Sequence, residues 1–91
     1  MVKTIKIIII GKVQNVFFRI FVKKHADKLG IKGFTRNFPN GSIKIIAQGK
    51  NDSLDKLIKQ VKIGPDFAKV DKIIVSIETS NEIFQNFEIR Y

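Results

Sequence analysis

"KTIKIIIIGKVQNVFFRIFVKKHADKLG", residues 3–30, changes its period part-way along, and that change decides the architecture. In residues 3–10, Ile5, Ile7 and Ile9 share one face of an extended chain, with Ile8 and Ile10 on the other. Alternation in a β-branched run predicts a strand. In residues 17–29, Phe18, Val22, Ala26 and Leu29 recur at helical spacing, while Lys23, Lys24, Asp27 and Lys28 are left for water. That stripe predicts a helix with one buried side, and Gly30 is a natural stop. Residues 11–16 lie between the two periods and read as a loop, with Gly11 allowing the chain to turn sharply.

The rest of the chain extends this start. Residues 31–37 read as a second strand, "FPNG" at 38–41 as a tight turn, and "SIKIIAQ" at 42–48 as a third strand with Ile43, Ile45 and Ala47 on one face. The two strands make a hairpin. Gly49 breaks the pattern, and Asn51 or Asp52 is expected to cap the next helix. Leu54, Leu57, Ile58 and Val61 then fall at i, i+3, i+4 and i+7 until "GP" at 64–65. Residues 70–79, "VDKIIVSIET", alternate with Ile73, Val75 and Ile77 on one face, and "FEIRY" at 87–91 reads as a short last strand. The order is β-α-β-β-α-β plus a tail strand. Two helices covering one face of an antiparallel sheet make an α+β sandwich of ferredoxin-like connectivity. At 91 residues the chain is expected to be a single domain, 1–91. Such an architecture serves many functions, so function must be read from particular residues.

Composition narrows the classes. There is no Cys, which removes disulfides and Cys-bound zinc. The apolar N-terminal run is short, is broken by Lys6 and is followed by no small-residue cleavage site. No stretch is long enough to span a membrane. A cytoplasmic protein without a membrane partner is expected, and a monomer at this size. The formal net charge of +9 suits an anionic partner, but Lys is scattered along the whole chain, as a solvated surface would also require.

His25 is the sole His, so no nucleophilic triad can form, and a structural role on the first helix is expected for it. No His/Cys/Asp/Glu cluster has metal spacing, and the few carboxylates are spread out, so neither a metal site nor a catalytic carboxylate pair is expected. Only three Arg occur: Arg19, Arg36 and Arg90. A guanidinium grips phosphate through two parallel hydrogen bonds, where an ammonium acts as a point charge. Arg19 follows a loop at a helix N-terminus, where free backbone N–H groups favour an anion. On the residues alone two readings stand: an oxyanion site, or a plain strand-to-helix turn with an exposed Arg.

The spelling of the segment adds to this. "GKVQNVFFR", residues 11–19, follows G-x-V-Q-x-V-x-F-R, which resembles the signature of the acylphosphatase family. "GFTRNFPNGSIKIIAQG" at 33–49, "GPDFAKVDKIIV" at 64–75 and "FEIRY" resemble the family's later segments, in order and at matching spacing. The resemblance implies the same sandwich and an enzyme that hydrolyses the carboxyl–phosphate bond of acyl phosphates to a carboxylate and inorganic phosphate, without metal or organic cofactor. It also implies roles. Arg19 would bind phosphate. Val13, Gln14, Asn15, Val16, Phe17 and Phe18 would form a cradle of backbone N–H groups, and Asn37 would position water. One position departs: where the family carries Gly between Gln and Val, this chain has Asn15. Asn is the non-Gly residue best suited to left-handed backbone, so the loop shape is expected to survive.

Two other readings share the layout. One is a non-catalytic phosphate-binding domain. The other is an RNA-binding module, for which "KGFTRNF" at 32–38 has a Lys-Gly-aromatic spelling. That signature belongs on a third strand bearing exposed aromatics, and here the third strand has none, which argues against nucleic acid.

Overall fold

β1 runs from Val2 to Lys12, two residues further than its Ile alternation required. In this computed structural model, which describes residues 2–79 and 82–91, it is followed by α1 (Phe18–Leu29), β2 (Lys32–Asn37), β3 (Ile43–Lys50), α2 (Asn51–Ile63), β4 (Lys69–Ile77) and β5 (Phe87–Arg90). Met1, Ser80 and Asn81, which the expected domain includes, lie outside the described residues.

The five strands form one sheet in the order β4-β1-β3-β2-β5. β1 pairs antiparallel with β3 and β4, and β2 with β3. β5 lies parallel to β2, so the tail strand makes the sheet mixed rather than wholly antiparallel. It begins at the end of the sheet where β4 finishes, and Phe84, three residues before it, packs against Phe34 and Ile46 on the open face.

The core lies between sheet and helices. Ile5, Ile7 and Ile9 of β1 and Ile43, Ile45 and Ala47 of β3 meet Phe18, Val22 and Ala26 of α1 and Leu54, Leu57 and Val61 of α2. All twelve are almost wholly shielded from solvent. At about 25 cal/mol per Å² of apolar surface, such burial is the dominant favourable term in folding. Leu29 and Ile58 pack at its margin.

Several local expectations are corrected. Gly11 is no hinge of a loop. It lies inside β1 at φ 143, where the register with β4 shifts, and a Cβ there would sit 2.1 Å from the Lys69 carbonyl oxygen. It is a bulge residue that lets two backbones approach. Gly49 does not end β3, which continues to Lys50. Lys50 is also the N-cap of α2, without a side-chain cap bond, so neither Asn51 nor Asp52 takes that role. Lys23 is half-buried, not simply solvated, and donates to the Phe87 carbonyl at 2.9 Å and to Asp27 at 3.0 Å. β4 ends at Ile77, and as an edge strand it leaves Val75 and Ile77 exposed although they share the face of Ile73.

Candidate active site

The bulged end of β1 delivers residues 13–17 to one end of the sheet, beside the first turn of α1. Asn15 has φ 61 and Phe17 φ 60, both left-handed, with Val16 between them outside the positive-φ region. φ therefore alternates in sign from Asn15 into the helix. Alternation of this kind turns successive N–H groups toward one side and makes an anion-binding concavity. Left-handed geometry costs an ordinary residue about 1–2 kcal/mol, and such strain persists where the surrounding structure holds it. Helix α1 begins here without a side-chain cap. Among the described residues, the N–H groups of residues 14–18 make no turn, loop or cap hydrogen bond to another backbone group. They are left for something else to satisfy.

A cavity of about 340 Å³ opens against this loop. Its polar lining is Asn15, Arg19 and Asn37, and Val13, Phe17, Phe18, Ile20, Ile89 and Tyr91 supply the apolar wall. Asn37 reaches it through strand register. It pairs with Ile43, whose side chain faces the helices, so Asn37 points to that face as well. No hydrogen bond among the described residues uses the Asn37 amide, and its Oδ1 is buried without a partner. An orphaned acceptor of this kind costs about 1–3 kcal/mol, so its place in a cavity lining points to a role beyond folding.

Arg19 is half-buried and held from the C-terminus. Its Nη1–H donates to the Arg90 carbonyl at 3.2 Å, and its Cζ lies 4.6 Å from the Tyr91 ring centroid. The ion pairs among the described residues are Lys23–Asp27 and Arg90–Glu88, so no carboxylate neutralises Arg19. Its charge faces a cavity rather than a partner.

Of the residues expected at the site, Val13, Asn15, Phe17, Phe18, Arg19 and Asn37 line this one cavity. Gln14 and Val16 do not. The Gln14 side chain turns away to the β2–β3 turn, donating to Phe38 and Ser42 carbonyls, and Val16 packs against the core. Ile20, Ile89 and Tyr91 were not anticipated. "FEIRY" reads as a strand and resembles a late family segment, with no residue of it expected at the site; its parallel pairing with β2, which brings it over Arg19, has no local sequence signal.

His25 lies on α1 with its ring 4.5 Å from Phe21, outside the cavity lining. Burial, then the neighbouring Lys28 and Lys24, push its pKa below 6.5. Among the described residues no group of three or more His, Cys, Asp or Glu side chains is placed to hold a metal. Among the described residues, Phe34 and Phe84 on the open sheet face are 9% and 8% exposed and pack on each other, so they present no stacking platform for bases. No helix among the described residues is long and apolar enough to cross a membrane.

The family model described as Acylphosphatase matches residues 5–89. The chain is 41% identical over 88 residues to an acylphosphatase of Caldivirga maquilingensis, covering 96% of this chain and 93% of that one. The crystal structure of acylphosphatase from Bacillus subtilis superposes with a TM-score of 0.94 at 37% identity, covering all of both chains. An acylphosphatase from Coxiella burnetii gives 0.92 at 31% identity, over 98% of this chain and 93% of that one.

Proposed function

This chain belongs to the acylphosphatase family of hydrolases, and from that premise we propose that the cavity at the α1 N-terminus is its active site, with Arg19 and the 13–18 loop binding the phosphoryl group and Asn37 holding the attacking water. The observation that carries this reading is the unspent amide of Asn37 in the same cavity lining as an unneutralised Arg19 and a sign-alternating loop.

The chemistry follows from the substrate. In an acyl phosphate the leaving group is a carboxylate, stable without protonation, so a strong general base is not needed. Water oxygen bonds to phosphorus as the bridging P–O bond breaks, and the carboxylate departs with the electron pair. A water proton passes to a phosphoryl oxygen of the substrate. The protein supplies position and charge, which dominate phosphoryl transfer. The Arg19 guanidinium and the loop N–H groups stabilise the phosphoryl oxygens, preorganised by the Arg90 carbonyl and by the left-handed residues. Asn37, neutral at working pH, hydrogen-bonds the water and aims it. The acyl group extends along Phe17, Ile20, Ile89 and Tyr91. The protein acts as a single-domain monomer in the cytoplasm, with acyl phosphate in and carboxylate and inorganic phosphate out.

Phosphate release from acetyl phosphate and benzoyl phosphate tests this. Wild type releases phosphate from both, and Arg19→Ala and Asn37→Ala each lose about 10²–10³-fold in turnover, the cost of a preorganised donor. Folded wild type that releases none sinks the activity. Release unchanged in both variants sinks the assignment of residues.

A further inference from the structure

We propose that the Gln14 side chain is a positioning residue that sets the spacing between the phosphate loop and Asn37, and so governs turnover rather than anion affinity. This rests on the reading of the cavity above.

Gln14 is the second residue of the loop, yet its side chain leaves the cavity and crosses to the β2–β3 hairpin. Its Nε2 donates to the Phe38 carbonyl at 2.7 Å and to the Ser42 carbonyl at 3.0 Å. Both amide hydrogens are thereby used. The two acceptors close the turn that follows Asn37. Phe38 N–H donates to Ser42 O at 2.9 Å and Gly41 N–H to Phe38 O at 3.1 Å. The Asn40 Oδ1 accepts from the Ser42 N–H at 3.0 Å and from its hydroxyl at 2.6 Å. The turn is thus braced internally, and Phe38 is the next residue along the chain from Asn37. Gln14 fastens the loop to this braced unit. Among the described residues, no other side-chain hydrogen bond leaves residues 13–17.

The residue type fits the task. One nitrogen must donate to two carbonyls at once, which a primary amide does without charge. A carboxylate would face both carbonyls with lone pairs, and a thioether would donate nothing. The phosphoryl group is held on one side of this tie and the water on the other. Reacting atoms must lie at near-contact distance, and a misplacement of about 1 Å can cost on the order of 100-fold in rate. The anion cradle itself is built from backbone and Arg19, so it survives loss of the tie.

The experiment compares wild type with Gln14→Met and Gln14→Glu, using benzoyl phosphate for turnover and inorganic phosphate as competitive inhibitor. Circular dichroism establishes folding. Gln14→Met is expected to lose about 10–100-fold in kcat, with the inhibition constant for phosphate moving less than about threefold. Gln14→Glu is expected to fall further at neutral pH. It then regains part of its kcat, relative to wild type at the same pH, as acid protonates the introduced carboxyl and restores one O–H donor. A merely structural glutamine would not produce that profile. Should Gln14→Met not fold, Gln14→Asn, which keeps the amide but shortens its reach, supplies the same comparison. An unchanged kcat in a folded variant overturns the inference, as does an equal loss of kcat and phosphate affinity. If wild type itself hydrolyses no acyl phosphate, the proposed function falls and this inference with it. Wild-type turnover with unaffected variants overturns the inference alone.

Discussion

The guanidinium of Arg19 is held by the last strand of the sheet: its Nη1–H donates to the carbonyl of Arg90 across 3.2 Å. The next residue, Tyr91, is 94% exposed, yet its ring centroid lies 4.6 Å from the Arg19 Cζ. A cation over an exposed ring is stabilised by about 0.5–1 kcal/mol. Tyr91→Ala is therefore expected to weaken phosphate inhibition two- to fivefold by that same energy, while Tyr91→Phe leaves it unchanged. Competitive inhibition by inorganic phosphate is the measurement.

Asn15 stands at φ 61 in the loop that cradles the anion. Gly and Asn both accept that conformation. Asn15→Gly is expected to keep kcat within about threefold and stability within a few tenths of a kcal/mol. Asn15→Val places a β-branched residue where it is a genuine outlier, at about 1–2 kcal/mol, and is expected to lose stability and phosphate affinity together. Thermal unfolding and inhibition constants measured on both variants separate the two outcomes.

Gly33 tests how the sheet holds the site. It sits in β2 at φ 138 between β3 and β5, and a Cβ there would fall 1.9 Å from the Ile46 carbonyl oxygen. The backbone must move to accept it. Gly33→Ala is expected to cost at least about 2 kcal/mol, read as a lower denaturant midpoint. Because Asn37 ends β2 and β5 pairs with that strand, kcat on the folded fraction falls as well.

His25 gives a pH dependence whose sign follows from its environment. Burial and the charges of Lys28 and Lys24 lower its folded pKa below 6.5, so the folded state favours the neutral ring. The unfolded chain then binds more protons between the two values, and stability rises with pH through that window. The contribution is full above about 6.5, the unfolded value, and is lost as pH falls through the lowered folded value. His25→Gln is expected to flatten the dependence of Tm on pH below neutrality, with kcat unchanged at pH 7.

Much of the fold was legible because burial writes a period into sequence. Ile5, Ile7 and Ile9, and likewise Leu54, Leu57 and Val61, occupy the core positions their spacing predicted. Signals carried by single residues were weaker. Gly11 and Gly49 read as breaks, yet both lie inside strands, where what matters is the close neighbour: the Lys69 backbone for Gly11 and the Ile31 side chain for Gly49. Asn51 and Asp52 have capping chemistry, but the helix already includes both, and Lys50 is its N-cap. Val75 and Ile77 have the right alternation yet stay exposed on the edge strand β4, a position in the sheet that alternation does not encode.

Taken by itself, the sequence determined the order of elements and the core faces of β1, β3 and both helices, and it offered a loop and Arg19 with the chemistry to hold an oxyanion; its spelling pointed to the family and to Asn37. All of these depend on local spacing, which the chain carries in any conformation. Only the tertiary structure decided that β5 lies parallel to β2 and lays Arg90 and Tyr91 against Arg19. It alone turned Gln14 out of the cavity onto the turn after Asn37. Those contacts join residues 71 and 24 positions apart, and such pairings follow from register and packing across the sheet rather than from any local pattern.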